Sequence, residues 1–225
     1  MVGMTWIVGL AAVVLVAYAI CFVRLVRFAN TPSAGPRIPA GRTKTALLLV
    51  DMQREHFEGE HPEDEKRLLV AVKDAISRAR AERTPVIALR HGWQTLGTRL
   101  MARMMLGGKG LAWAPGTEIH PKLAQLVDHV VTKRVQDGFE NPELGSLLDR
   151  LEIGHLQIAG LDGCFCVKKT ALAAAARGYA VSLLIDAIQT SQPKAWRRWL
   201  GSLPERIEPE ATPRRSESLK NATAS

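Results

Sequence analysis

The chain has 225 residues, 47% hydrophobic and 23% charged, with Gly and Pro scattered without period; this suits one buried core with appendages and excludes collagen-like, mucin-like and wholly disordered chains. Lys and Arg outnumber Asp and Glu by 30 to 22, a net charge of +8, but no basic cluster interleaved with aromatics follows, so no nucleic-acid partner is expected. The three cysteines cannot form a disulfide framework, because Cys21 lies in an apolar run and Cys164 and Cys166 are one residue apart, which fits a reducing compartment.

No charge occurs before Arg24, and Trp6–Val23 gives 18 consecutive apolar residues, close to the roughly 20 that cross a bilayer as a helix. A cleaved signal peptide competes, since Ala17-Tyr18-Ala19 resembles a small-residue cleavage site, and would make the domain secreted. Against it, no basic residue precedes the run, which continues through Ile20, Cys21, Phe22 and Val23. The expectation is a retained single-pass transmembrane helix within 1–29, contacting the membrane through 6–23. Arg24, Arg27, Arg37, Arg42 and Lys44 all follow the span, so the domain is expected to be cytoplasmic. Residues 30–43, rich in Pro and Gly, read as a linker, 44–208 as the domain and 209–225 as a disordered polar tail.

Within the domain, short apolar runs alternate with longer amphipathic ones. Ala46–Val50, Val86–Leu89, Val130–Thr132, Leu156–Ala159 and Val181–Ile185 read as buried strands. Pro62–Arg83 predicts a helix, with Leu68, Val72, Ala75, Ile76 and Ala79 on one face and Glu63, Asp64 and Glu65 in its first turn. Further helices are predicted near Pro142–Leu151 and Cys166–Arg177. This order gives an α/β fold: a doubly wound, mostly parallel sheet with helices on both faces. Residues 92–126 interrupt the alternation as a long insertion, either a cover over a site or an exposed loop. Its Arg99, Arg103 and Lys109 have no acid among residues 94–111, which would favour an anionic ligand or partner.

Open α/β sheets bind ligands beyond the carboxyl ends of their strands. Asp51 ends the first strand, Lys133 follows Val130-Val131-Thr132, and Cys166 opens the helix after Leu156–Gly160. Singly these are a helix cap, a solvated strand end and a small buried hydrophobe. Together they supply an acid, a cation and a thiol, a set suited to nucleophilic catalysis. A thiol at a helix amino end beside a cation is expected to have a lowered pKa and to be available as thiolate.

These residues stand in motifs that resemble the isochorismatase-like cysteine hydrolases, the family of nicotinamidases, carbamoylsarcosine amidohydrolases and ureidoacrylate hydrolases. The likeness spans roughly residues 45–190. It rests on Leu47-Leu48-Leu49-Val50-Asp51-Met52-Gln53 with Phe57, on Lys133 with Phe139 and Leu144, and on Gly160-Leu161-Asp162-Gly163-Cys164-Phe165-Cys166-Val167. Thr170-Ala171, Gly178-Tyr179 and Asp186-Ala187 follow in order.

The resemblance implies a hydrolase of amide or ureide C–N bonds on a small molecule, working through a thioester without a cofactor. It assigns Cys166 as nucleophile, Asp51 as general base and Lys133 as the supporting cation. It implies a cis peptide at Leu161–Asp162 and an oxyanion hole from the N–H groups of Asp162 and Cys166. Phe57 and Phe139 map near the substrate-binding pocket wall, with core packing as the alternative for each. Glu118 and His120 match a lid segment, or serve as caps. The family's habit of forming dimers or tetramers implies a homo-oligomer.

Departures are equally definite. Gly163 stands where many members carry Thr, and Cys164 where they carry an acid or amide; Cys164 is expected to be inert, with mixed disulfides under oxidation as the alternative. The nicotinamidase branch has an Asp-x-His metal signature after the second strand, whereas this chain reads Leu89-Arg90-His91-Gly92-Trp93. No metal is therefore expected, nor nicotinamide as substrate. The competing class is a catalytically silent member acting as a membrane-tethered binding module.

Overall fold

The computed structural model describes residues 2–58, 61–105, 107–108, 110–112 and 114–211, with backbone alone for 2–8, 11, 25, 29, 30, 101 and 105. Six strands form one sheet: β1 Lys44–Val50, β2 Val86–His91, β3 His129–Lys133, β4 Ile153–Gly160, β5 Ala180–Ile188 and β6 Ile207–Glu210. Their order is β3-β2-β1-β4-β5-β6, and every neighbouring pair is parallel. The helices are α1 Val2–Asn30, α2 Pro62–Ala81, α3 Leu96–Met105, α4 Pro121–Ala124, α5 Pro142–Arg150, α6 Lys168–Ala176 and α7 Pro193–Leu200.

β1 explains why its sequence is continuously apolar. Ala46, Leu48 and Val50 belong to one core with α5, α6 and α7, while Leu47 and Leu49 belong to the opposite core with α2. A strand covered on both faces has no polar side to alternate with. α2 starts where His61 accepts the N–H of Glu63 and Pro62 occupies the first turn, and it buries Leu68, Leu69, Val72, Ala75, Ile76 and Ala79. Each larger side chain so buried contributes roughly 1.5–3 kcal/mol.

The chain winds outward from β1 through β2 to β3, returns to lay β4 beside β1, and winds outward again. β1 and β4 therefore flank the point where the winding reverses, where their carboxyl ends leave a crevice. All five expected strands form, and the sheet is wholly parallel. β6, α3 and α7 were not legible. β6 buries a single apolar residue, Ile207, and sits at the sheet edge, where Pro209 needs no donor. This corrects the expected tail boundary, since Pro209 and Glu210 pair with Leu183 and Leu184 of β5. The rest of that tail, 212–225, lies outside the described residues.

The segment read as a linker is laid against the domain. The Arg177 guanidinium donates to the Ser33 and Ala34 carbonyls at 2.7 and 2.9 Å and to Ser33 Oγ at 3.0 Å. Asp137 Oδ2 accepts the Ser33 N–H at 2.6 Å, the Ile38 N–H reaches the Arg177 carbonyl at 2.8 Å, and Ile38 packs on the core. A cavity of about 890 Å³ lies between this strap, α5, Phe139 and Tyr179, away from Asp51, Lys133 and Cys166.

Among the described residues, no helix is long and apolar enough to cross a membrane. α1 spans 29 residues, and its described side chains include exposed Leu10, Val13, Val14, Leu15, Val16, Tyr18, Ile20, Phe22 and Val23.

Candidate active site

The chain leaves β1 at Asp51 with φ 51°, a left-handed conformation that Asp tolerates better than most residues. Lys133, the last residue of β3, stands level with His91, the last residue of β2. Beyond β4, the Leu161–Asp162 peptide bond is cis. A wide turn over Gly163–Val167 then carries Cys166, ahead of α6 rather than in its first turn.

Lys133 joins these three strand ends. Its side chain is fully buried, and Nζ lies 3.0 Å from Asp51 Oδ2, 3.1 Å from His91 Nδ1 and 3.3 Å from both Cys166 Sγ and the Val135 carbonyl. An ammonium only donates, so His91 Nδ1 accepts, and the imidazole proton sits on Nε2. Burial first, then the adjacent Lys133 ammonium, holds the His91 pKa down to about 3.

Burial pushes the Asp51 carboxyl up, but the Lys133 ammonium outweighs it and leaves Asp51 below its ordinary value. Burial would likewise lower Lys133, yet Asp51 and Cys166 hold it above its ordinary value. The thiol goes the other way from expectation: burial, then the Asp51 carboxylate, pushes Cys166 up to about 12 against the pull of Lys133. The expected resting thiolate is therefore corrected to a protonated thiol beside a carboxylate. A cation already paired with Asp51 has too little field left to ionise a second, desolvated group.

The turn before Cys166 is cross-linked. Asp162 Oδ1 accepts the Cys164 N–H at 2.8 Å and the Thr190 hydroxyl at 2.9 Å, and Oδ2 accepts the Ser191 N–H at 2.7 Å. The Asp162 N–H has no acceptor among the described residues. Cys164 is a free thiol whose Sγ lies 3.5 Å from the Gln192 carbonyl.

A cavity of about 280 Å³ opens over Cys166, lined by Asp51, Glu55, His56, His91, Trp93, Gly110, Gln136 and Cys166. Three buried polar atoms here lack hydrogen-bond partners among the described residues: Asp51 Oδ1, His56 Nε2 and His91 Nε2. Gln53 ties the first strand end to the second, its amide exchanging hydrogen bonds with the His91 N–H at 2.6 Å and carbonyl at 3.0 Å. The 92–126 insertion supplies a wall. The Trp93 N–H reaches the Gly110 carbonyl at 2.7 Å, the Glu55 N–H reaches Gly116 at 2.9 Å, and the His120 N–H reaches Met52 at 2.8 Å.

Phe57 and Phe139 line none of this cavity, which corrects their expected place. Phe57 is buried in the core under α2 and meets the His120 ring edge-on at 5.1 Å. Phe139 is buried in the other core against Tyr179. The tight turn Arg54–His56 rotates the chain by a third of a turn per residue. Phe57 thus goes inward while Glu55 and His56 take the cavity side. His120 caps α4, accepting the Lys122 N–H at 3.2 Å, and Glu118 accepts the Gly116 N–H at 2.9 Å within a turn. Glu55, His56, Trp93, Gly110 and Gln136 were missed; for Glu55 and His56, their place directly after Asp51-Met52-Gln53 was the available signal.

A doubly wound sheet with an acid, a lysine and a cysteine gathered at its carboxyl edge defines a nucleophile-bearing α/β domain. Residues 45–207 match the isochorismatase domain family, and the chain belongs to that family. It is 33% identical over 157 residues to a streptothricin hydrolase of Streptomyces noursei, a match covering 69% of this chain and 58% of the other. A second streptothricin hydrolase of that organism is 31% identical over 147 residues, covering 64% of this chain and 49% of the relative. The chain thus spans only about half the length of the curated relatives it matches.

Among solved structures, a pyrazinamidase of Pyrococcus horikoshii in complex with zinc superposes with a TM-score of 0.62 at 25% identity, covering 76% of this chain and 100% of that one. An N-carbamoylsarcosine amidase of Thermoplasma acidophilum gives 0.65 at 21% identity, covering 75% of this chain and 96% of the other, and shares the fold. His91 turns Nδ1 to an ammonium, and among the described residues no three His, Cys, Asp or Glu side chains converge as ligands.

Proposed function

We propose that this chain hydrolyses the C–N bond of a small amide or ureide through a thioester on Cys166. The observation that carries the reading is the meeting of Asp51, Lys133 and Cys166 at the mouth of a cavity sized for a small molecule. The family membership and the hydrolase names of the relatives support it.

The resting site holds a carboxylate, an ammonium and a thiol. As Cys166 Sγ attacks the carbonyl carbon, Asp51 takes the thiol proton, and the negative charge passes to the carbonyl oxygen. The unpartnered Asp162 N–H, with that of Cys166, receives this oxyanion; one such donor is worth about 2.7–4 kcal/mol in comparable sites. Lys133 stays protonated and steadies both anions in turn. Asp51 then gives its proton to the departing nitrogen, the C–N bond breaks, and ammonia or an amine leaves a thioester. A water, deprotonated by Asp51, cleaves the thioester to a carboxylic or carbamic acid and restores the thiol.

The test is release of ammonia or amine from a panel of small amides and ureides, with a streptothricin included because the relatives carry that name. Turnover should fall at least about 10³-fold in Cys166→Ala, and an acyl adduct should be found at Cys166 by mass spectrometry. No turnover of any panel member would sink the reading in favour of a silent binding module.

We further propose that α1 attaches the protein to a membrane with the catalytic domain on the cytoplasmic side. Its exposed apolar side chains make a surface larger than soluble monomers normally tolerate, and Arg24 and Arg27 at its carboxyl end, with Arg37, Arg42 and Lys44 beyond, lie on the domain side of the apolar run. The strap over 33–38 would then hold the domain close to that surface. Carbonate extraction of cell membranes should leave the protein in the pellet; recovery in the supernatant would refute attachment.

A further inference from the structure

The cavity beside Cys166 carries a negative charge that the hydrolysis does not use. Asp51 is balanced by Lys133. Glu55 is a second carboxylate on the wall, 8% exposed. Its Oε2 accepts the Gly110 N–H at 3.1 Å and its Oε1 the Gln53 amide at 3.4 Å. These donors are neutral, so they satisfy lone pairs without cancelling charge, and no cation pairs with Glu55 among the described residues. Buried carboxylates normally have a cationic partner.

The rest of the cavity agrees. His91, 5% exposed, is neutral and presents an unpartnered Nε2–H, and Asp51, 2% exposed, presents an unpartnered Oδ1. Asp51 also faces the Cys166 thiol, and His56 Nε2 on the same wall likewise has no hydrogen-bond partner among the described residues. Trp93 adds an aromatic wall beside His91, at 4.2 Å between ring centroids, of the kind on which a planar cation rests. Among the described residues, no Lys or Arg lines the space.

We infer that Glu55 is the specificity determinant of the cavity and that the substrate carries an amidinium or guanidinium group, which pairs with Glu55 across Trp93 while its amide carbonyl meets Cys166. This rests on the hydrolase reading and names its substrate class. It replaces the weak sequence-based preference for an anion.

The probes are 3-carbamoylbenzamidinium and isophthalamide, planar isosteres that differ by one unit of charge. Titrated calorimetrically into the full-length Cys166→Ala chain, the cation should bind at least tenfold more tightly. Adding Glu55→Gln, which keeps an acceptor for Gly110, should bring the two affinities within about twofold of each other. If that double variant does not fold, the comparison in Cys166→Ala alone decides. Equal affinities, tighter binding of the neutral probe, or binding of neither overturns the inference. With Cys166 intact, turnover without preference for the cation overturns it and leaves the hydrolase reading in place. A cation preference without turnover of any amide keeps Glu55 and removes the hydrolase reading.

Discussion

Lys133 Nζ and Asp51 Oδ2 meet at 3.0 Å with both side chains shut off from solvent. Removing one partner of such a pair leaves the other charged and unpaired in the interior, a loss of about 3–5 kcal/mol. Lys133→Met is expected to destabilise by that amount, and Lys133→Met with Asp51→Asn by clearly less than the two single losses together. Urea denaturation of the four proteins measures the coupling. Additive losses would mean that the pair does not hold the strand ends together.

The same pairing makes an unusual expectation for the thiol. Because the Asp51 carboxylate pushes Cys166 up and Lys133 pulls it down, Asp51→Asn leaves Lys133 free to pair with a thiolate. Wild-type protein should react slowly with iodoacetamide near pH 8, and Asp51→Asn should react at least about tenfold faster while losing hydrolysis. Adduct mapping by mass spectrometry separates Cys166 from Cys164. Slower labelling of Asp51→Asn would mean that the carboxylate does not face the thiol.

How much of this site was legible in the sequence follows from which residues report their own role. Asp51, Lys133 and Cys166 each end or follow a run of buried strand, and strand-end positions are fixed by the hydrophobic pattern. Their charge states were not legible. They depend on which group Lys133 pairs with, a matter of angstroms that no spacing encodes. The cavity wall was harder still. His56 and Phe57 are neighbours in sequence with opposite fates, decided by one tight turn, and Trp93 and Gly110 meet only because the insertion folds back across β2. β6 was hidden for a different reason, since its stability comes from backbone pairing with β5 around one buried Ile207.

His91 sets a limb in acid stability. Its folded pKa of about 3 lies below its ordinary value of 6.5, so it is a group whose proton the unfolded chain binds more readily. Its contribution is complete above pH 6.5 and is lost as the pH falls toward 3, with a slope approaching about 1.4 kcal/mol per pH unit. His91→Asn should flatten that part of the stability curve, measured by urea midpoints from neutral to acid pH. An unchanged slope would mean that His91 is protonated in the fold.

Arg177 offers a test at a distance from the chemistry. Its guanidinium bridges α6 to the strap through Ala173, Ser33 and Ala34, and lies 4.9 Å over the Phe139 ring. Replacing it by Met removes the donors to those part-buried strap carbonyls, at about 0.5–1.5 kcal/mol for each hydrogen bond exchanged for one to water. Asp137, already raised by burial and held down in part by Arg177, should rise further and weaken its grip on Ser33. The strap should then lift, so that trypsin cuts after Arg37 and Arg42 several-fold sooner in Arg177→Met than in wild type. Turnover should be unchanged, because Arg177 contacts none of Asp51, Lys133 and Cys166. Equal cleavage rates would show that Asp137 and the packing of Ile38 hold the strap by themselves.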